Sequence, residues 1–508
     1  MLSETTPDPL PPPPARFNMA AHVLHRAGEL RDKVALAVLG PHRAERWRFA
    51  RLKAAVQGTA TGFLEAGLSP GDRVLLRLGN TVDYPIAYLG AITAGLVAIP
   101  TSPQLTAREV AGIIAVTQPK LILRADGVAC PDGPTPTIPL PRLQAMQDLA
   151  PAPFHFGDPE RPAYIVFTSG TSGAPRAVVH AHRAILARQM MMQDWYDLRE
   201  DDRLCHAGAF NWTYTMGTGL MDPWTAGATA LIPAPEVTPE QLPLLLRRHD
   251  ATLLAAAPGV YRKLVAGQTR MDLPKLRHGL SAGEKLSQAI RDHWREATGT
   301  ELYEAYGMSE CSTFVSGAPA RPVDPAALGF AQTGRRVAIL GEDGPVRRGE
   351  EGTIAVHRSD PGLMLGYLGA DGTVTQPLQG DWFLTGDQAT MDATGALTYL
   401  GRRDDMMNAG GFRVSPMEVE AVMNSHPGIT QSAVTDIEVK VDARVIVAFY
   451  TGPQAIDEAA LKSFAATRLA GYKCPRAIYH VEALPTGANG KLLRRALRPI
   501  YKAIHDQA

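Results

Sequence analysis

Short apolar runs alternating with longer amphipathic ones constrain this chain more than any other feature. Residues 34–38, 73–78, 97–100 and 121–123 predict buried strands, with helices between them at 49–66 and 106–117. Continuous apolar strands separated by helices belong to a largely parallel sheet covered on both faces, hence to a layered α/β fold. Local signals agree: Gly71-Asp72 turns the chain into the second strand, and Thr106 with Glu109 has capping-box spacing. A second round follows a central loop, with helices predicted at 181–192, 239–249, 260–266 and 286–298 and strands at 203–207, 229–232 and 253–257. Residues 211–219 read as a loop of aromatic, hydroxyl and glycine residues, and 131–141 and 151–162 as proline-rich connectors.

The texture then changes. Residues 329–401 carry short strands and glycine turns such as Asp343-Gly344, Asp371-Gly372 and Asp392 to Gly395, which predict a small β unit. A charged tetrad, Arg402-Arg403-Asp404-Asp405, breaks the pattern. Beyond it, Ser415, Pro416 and Glu418 have the order of a helix N-cap, first helical proline and capping-box acid. A strand pair at 433–451 and a helix at 457–469 complete a small α+β unit. The expected architecture is a leader (1–16), a large N-terminal domain of layered α/β subdomains plus a small β unit (17–403), and a small C-terminal α+β domain (404–508).

At 508 residues, the chain is too long for one core, and length alone predicts about three domain-sized units. Equal numbers of basic and acidic residues, 51 each, leave no net field to attract nucleic acid or an anionic membrane. The leader lacks the basic and apolar regions of a signal peptide, holds Pro11 to Pro14 in a row and is expected to be disordered. The longest apolar run, 85–100, is shorter than the roughly 20 residues of a bilayer span and is broken by Gly90 and Gly95. Cys130, Cys205, Cys311 and Cys474 lie far apart with no C-x-x-C pair, so neither a zinc site nor a disulfide framework is indicated. A reducing cytoplasm fits that usage, and a monomer or a homodimer is compatible with the sequence.

Residues 163–167 deliver a strand into the loop Thr168, Ser169, Gly170, Thr171, Ser172, Gly173, Ala174, Pro175, Arg176. Glycines let backbone N–H groups approach a polyanion, hydroxyls add donors and Arg176 adds fixed charge. The Walker spacing is missing. Read alone, the segment is either a phosphate-holding loop or a Ser/Gly-rich surface loop.

Several separated motifs, taken in order, resemble those of the adenylate-forming superfamily of acyl- and aryl-CoA ligases, nonribosomal-peptide adenylation domains and luciferases. The loop at 168–176 is similar to that family's phosphate loop. Tyr306-Gly307-Met308-Ser309-Glu310, preceded by Glu304-Ala305, resembles its central motif. Thr385-Gly386-Asp387 resembles its ribose motif, Gly401 to Asp405 its hinge, and Gly487 to Lys491 its catalytic lysine loop. The likeness covers nearly the whole chain after the leader, and within the superfamily its feel is nearest to benzoate-type CoA ligases.

The resemblance implies roles that the residue chemistry allows. Glu310 offers a hard oxygen ligand for Mg²⁺ on ATP, and the Ser309 hydroxyl can donate to the α-phosphate. Asp387 can accept from both ribose hydroxyls, with Arg402 as a second contact. Ser281, Ala282, Gly283 and Glu284 match the adenine-side loop. Lys491 would bridge the substrate carboxylate and the α-phosphate. Asp404 would be the hinge about which a mobile small domain turns, and Gly410, Gly411 and Phe412 would line a tunnel for the pantetheine of coenzyme A. Read singly, Glu310 is equally a solvated carboxylate, Asp387 a turn aspartate, Arg402 a surface arginine, Gly283 a strand-to-helix turn and Lys491 a solvated lysine. Their shared order along the chain selects the site reading.

Three positions depart from the family pattern: Ser172 stands for threonine, Arg176 for lysine and Ala177 for glycine. The implied acyl pocket comprises Trp212, Thr213, Tyr214, Met216, Gly217, Gly307 and Thr313. Acetate-type ligases carry tryptophan at the position of Gly307, so glycine there implies space for an aryl or medium-sized acid. His180 and His182, two apart with no further ligands, read as structural. The expected activity is ATP-dependent ligation of a carboxylate to coenzyme A. A carrier-protein-loading enzyme and a non-catalytic nucleotide-binding relative are the alternatives.

Overall fold

The apolar alternation resolves into two large sheets. The structure, a computed structural model, describes residues 1–7, 10–168, 176–266, 270–403, 405–409, 412–440, 443–487 and 492–505. In the first sheet, parallel strands Val34–Leu39, Thr229–Pro233, Arg203–His206, Leu253–Ala256, His278–Ala282 and Leu302–Met308 lie side by side in that order. In the second, Pro162–Thr168, Val97–Pro100, Arg73–Arg77, Leu121–Arg124 and Thr137–Pro139 run parallel. Helices Phe49–Glu65 and Asp83–Thr93 carry apolar faces into a buried cluster that also draws on strands of both sheets. Helix Ala107–Thr117 starts at the predicted capping box: the Glu109 N–H donates to Thr106 Oγ1, and Glu109 Oε2 accepts from the Thr106 N–H.

The small β unit is not a separate body. Strand Ser312–Ser316 hairpins back on Leu302–Met308 and pairs onward to Gly329–Ala331, which pairs with Ala396–Arg402. Trp382–Met391, Gly352–His357 and Val337–Leu340 then extend the same sheet. Parallel and antiparallel halves therefore share one hydrogen-bond ladder, and the join falls at the central motif.

Four local expectations are corrected. The start of the leader is ordered: the Ser3 and Thr5 N–H groups donate to Val346 and Val337 carbonyls at 2.8 and 2.9 Å, and Glu4 pairs with Arg336. The open edge of strand Val337–Leu340 offers unpaired backbone groups that this segment satisfies. The connector at 131–141 contains strand Thr137–Pro139, because Ile138 is buried against the sheet. The loop at 211–219 is largely helical, with π-helix Thr215–Met221 wholly buried and helix Asp222–Ala226 following directly. Ser415 holds the N-cap position of helix Pro416–Asn424, but the expected capping box does not form: its hydroxyl donates to the Leu400 carbonyl, and Glu418 pairs with Lys473 at 2.5 Å. Pro416 keeps its place in the first turn.

Beyond residue 406, sheet Gln431–Lys440, Ala443–Thr451 and Ala477–His480 packs with helices Pro416–Asn424, Glu458–Ala466 and Leu497–His505 around apolar clusters drawn from that segment alone. Among the described residues, no helix is long and apolar enough to cross a membrane.

Candidate active site

Strand Leu302–Met308 points its C-terminal end, where ligands sit in open parallel sheets, at a tight turn carrying Ser309 and Glu310. The register slips between Tyr306 and Gly307, so the strand bulges as it enters the turn. Ser312, first residue of the return strand, has φ +64°, a left-handed conformation that is rare outside glycine and marks strain at a site. Glu310 is only 7% exposed, and its Oε1 accepts from the Tyr367 hydroxyl at 2.8 Å. The Arg176 guanidinium lies over the Tyr367 ring at 5.1 Å. The predicted metal ligand and the cation closing the phosphate loop thus meet on one phenol. Burial and the Glu310 charge hold that phenol well above its ordinary pKa, so it stays a donor. Behind the turn, Cys311 packs on the fully buried Arg335–Asp360 pair, and Arg335 also donates to the Thr313 carbonyl at 2.8 Å. The Ser309 carbonyl accepts from His180 Nε2 at 2.7 Å.

The same strand reaches the ribose motif. The Tyr306 hydroxyl donates to Asp387 Oδ2 at 2.5 Å. Tyr399 and Arg402 approach Oδ1 at 3.5 and 3.6 Å. Asp387 and Arg402 are register partners across the consecutive antiparallel strands Trp382–Met391 and Ala396–Arg402, which is why the ribose motif and the hinge motif meet at one carboxylate. Gly386, at φ +79°, lies within strand Trp382–Met391 where its register against Gly352–His357 slips, so the expected glycine turn is a bulge in the strand.

On the adenine side, strand His278–Ala282 ends at Gly283, φ +98°. The Ser281 hydroxyl is buried without a partner among the described residues. Ala305 is Ala282's register partner. Glu304, expected among nucleotide contacts, turns inward instead. Its carboxylate takes Lys285 at 3.2 Å, Arg291 at 2.8 Å and the Leu286 N–H at 3.0 Å. A buried carboxylate gathers such donors, so Glu304 fixes the 283–286 loop rather than facing a ligand.

The predicted acyl residues gather around an aromatic cluster. Tyr214 meets His206 edge-on at 4.4 Å and Trp212 at 5.1 Å, and Trp212 reaches to 3.8 Å from where a Gly283 Cβ would stand. Met216 is buried, Thr213 is exposed and the Thr313 hydroxyl contacts Met191 sulfur. The space expected beyond Gly307 is filled: a Cβ there would stand 2.2 Å from the Ser312 carbonyl oxygen and 2.4 Å from Thr313 Cα. Gly307 permits close approach of the return strand, so its lack of a side chain opens no pocket there. Arg188, which sequence reasoning missed, spreads its guanidinium over Gly217, whose Cβ would stand 2.3 Å from Cζ. A buried arginine in an apolar helix, with Asp222 in an apolar helix beside it, was the signal available.

Thr168 and Arg176 pair across the loop's mouth, and Met308 packs against a buried apolar cluster. Ser169, Gly170, Thr171, Ser172, Gly173, Asp404, Gly410, Gly411 and Lys491 lie outside the described residues, and Phe412 begins strand Phe412–Val414. His182 Nδ1 accepts from the Met19 N–H at 3.0 Å. Burial lowers His180 to about 4 and His182 to about 3. Among the described residues, no three His, Cys, Asp or Glu side chains cluster as a metal cage. A lone buried carboxylate, Glu310, suits Mg²⁺, which binds through one or two carboxylates plus substrate phosphates.

Residues 23–368 match the AMP-binding enzyme family, and residues 418–491 match the AMP-binding enzyme C-terminal domain. Mouse mitochondrial acyl-coenzyme A synthetase ACSM5 is 31% identical over 466 residues, which is 85% of this chain and 80% of the relative. ATP-bound MatB from Rhodopseudomonas palustris aligns with a TM-score of 0.84 at 25% identity, over 96% of this chain and all (100%) of that one. A benzoate CoA ligase from Burkholderia xenovorans LB400 shares the fold, with a TM-score of 0.83 at 24% identity over 95% of this chain and 100% of its own.

Proposed function

The chain belongs to the AMP-binding enzyme family, and on that premise we propose that it is an ATP-dependent acid–thiol ligase acting through acyl-AMP with coenzyme A as acceptor. A substrate carboxylate oxygen attacks the α-phosphorus, the bond to the β-phosphate breaks and pyrophosphate leaves. The coenzyme A thiol then attacks the acyl carbon, its proton passes to solvent, the mixed anhydride breaks and AMP departs.

One observation carries the assignment of residues. The end of a single strand brings Glu310, bound to Tyr367, and Tyr306, bound to Asp387, to one place. Asp387 and Arg402 would receive the ribose, and the 281–283 turn with Trp212 the adenine. Ser309 and Arg176 would meet the phosphates, and Glu310 would hold Mg²⁺, which supplies charge neutralisation on ATP when bound. Glu304 acts on the site only by fixing the adenine-side loop. Lys491 follows from motif order. Support comes from the base of its loop, where the Leu493 N–H donates to the Pro485 carbonyl at 2.8 Å and Arg494 grips buried Glu420 at 2.7 and 2.8 Å. Separate apolar clusters beyond residue 406 support a small domain turning about Asp404. Free cysteines support a reducing cytoplasm.

The test is coenzyme-A-dependent AMP release across benzoates, cycloalkane carboxylates and short-to-medium fatty acids, with a carrier protein as alternative acceptor. Lys491→Ala is expected to abolish carboxylate-dependent pyrophosphate exchange while ATP binding persists. Unchanged exchange removes the lysine from the mechanism. Acyl-AMP that neither thiol accepts removes the thiol step.

A further inference from the structure

We propose that Arg188 reads the far end of the acid, and that the substrates are compact carboxylic acids carrying a neutral oxygen acceptor, a hydroxyl, ether or carbonyl, opposite the carboxyl. This rests on the ligase reading and on residues 212–217 lining the acyl pocket.

Arg188 projects from helix Ala184–Met191 onto the π-helical segment that holds Gly217 and Thr218. Its Nε and Nη2 grip both oxygens of Asp222 at 2.8 and 2.7 Å, Nη2 also donates to Thr218 Oγ1 at 3.2 Å, and Nη1 donates to Ser312 Oγ at 2.6 Å. Tyr196 donates to Asp222 Oδ2 at 2.9 Å and joins Thr218 at 2.8 Å. Asp222 is fully enclosed, 0% exposed, whereas the Arg188 side chain keeps 11%.

Among the described residues Nη1 meets one acceptor, although it carries two N–H bonds. The remaining donor belongs to a guanidinium anchored so firmly that it cannot swing out to water. Covering it with an apolar acyl end would leave a charged donor without a partner, a costly arrangement. A second carboxylate fares little better, because Asp222 already neutralises the cation and would repel it. A neutral oxygen accepts the hydrogen without adding charge. Two further features set size. The backbone of Ser312 and Thr313 blocks extension past Gly307, and the rings of Trp212 and Tyr214 offer apolar walls for a short or flat body.

The experiment compares kcat/KM within matched pairs, benzoate against 3- and 4-hydroxybenzoate and pentanoate against 4-oxopentanoate, read by acid-dependent pyrophosphate exchange. At least one oxygen-bearing acid is expected to win by about tenfold or more, the usual yield of a hydrogen bond to a charged group. The double variant Arg188→Met with Asp222→Leu leaves no lone buried charge and is expected to bring that ratio to about one. Taking the ratio within each protein cancels any general loss of activity. If the double variant does not fold, Arg188→Lys keeps the cation but loses the fork, and the same fall is expected. Equal rates within every pair, preference for a terminal carboxylate such as succinate over butanoate, or a ratio unmoved by the substitutions would each overturn the proposal while leaving the ligase reading standing. Exchange with no acid at all would remove the ligase reading itself, and this inference with it.

Discussion

Substituting Gly307 by alanine distinguishes a glycine that opens a pocket from one that lets two strands meet. The added Cβ would stand 2.2 Å from the Ser312 oxygen, 2.4 Å from Thr313 Cα and 2.7 Å from the Ser312 carbonyl carbon. Carbon atoms rest at about 3.5–4.0 Å, so the return strand must retreat by about 1 Å. All three atoms are backbone, and no rotamer change relieves them. The strand is also pinned on its far side by the ladder to Gly329–Ala331, and Ser312 already holds a left-handed conformation. Overpacking of this kind costs about 1–3 kcal/mol. The displaced turn carries Glu310, and a shift of about 1 Å at a catalytic group costs about a hundredfold in rate. Gly307→Ala is therefore expected to lower the apparent melting temperature and to reduce kcat/KM for acetate, butanoate and benzoate by a similar factor. Thermal unfolding and acid-dependent pyrophosphate exchange measure both. A variant as stable as wild type that keeps acetate and loses benzoate would refute the reasoning and restore an open pocket at Gly307.

Tyr367→Phe deprives buried Glu310 of its phenol donor, and hydrogen bonds to charged groups are worth about 1.5–3 kcal/mol. Initial rates against ATP should show kcat/KM lower by about 10- to 100-fold, with more Mg²⁺ needed for half-saturation; kinetics within about twofold of wild type would place Tyr367 outside the metal site. Stability should also depend on pH through histidines held neutral by burial: His180 is lowered to about 4, and His182 and His206 to about 3. Their folded pKa values lie below the ordinary 6.5, so the unfolded chain takes up protons first as pH falls. The stability they contribute is whole above about 6.5 and is lost towards 3–4, by up to about 1.4 kcal/mol per pH unit for each group. Melting curves between pH 7.5 and 5 should descend less steeply in His182→Asn, whose carbonyl can replace Nδ1 as acceptor for Met19; an unchanged slope would assign the acid sensitivity elsewhere.

Regular elements were legible wherever local chemistry and packing agree. The Thr106–Glu109 capping box formed because nothing nearby competes for either side chain, whereas the Ser415 hydroxyl found the Leu400 carbonyl across the chain and left its capping box unformed. Residues 211–219 misled because their glycine and hydroxyl residues read as loop, although 215–221 are helical. Their threonine hydroxyls are instead absorbed by His206, Tyr196 and Arg188, partners visible only in three dimensions. Glu304 shows the same limit: motif position placed it beside the nucleotide, while Lys285 and Arg291 decide where its carboxylate faces. Motif order named Tyr306, Asp387 and Arg402, which the structure brings together because their strands belong to one sheet. The acid side depends on long-range side-chain pairs, which spacing does not encode.

Arg176 illustrates how one departure becomes intelligible only with its neighbours. Sequence set it apart as a planar fork in a place where the family carries an ammonium. Strand Arg176–Ala181 pairs with Gly366–Leu368, which brings Tyr367 beside it, and the guanidinium faces that ring. A flat, weakly hydrated cation stacks on an aromatic face more favourably than a compact ammonium does. The stacked ring in turn directs its hydroxyl to Glu310. An arginine here can orient the Glu310 carboxylate through Tyr367. Lysine at this position could supply the charge, but its rounded head group would leave the Tyr367 ring without a flat partner. The exchange is therefore conservative for charge and specific for geometry, and it ties the strand that leaves the proposed phosphate loop to the carboxylate that would hold the metal.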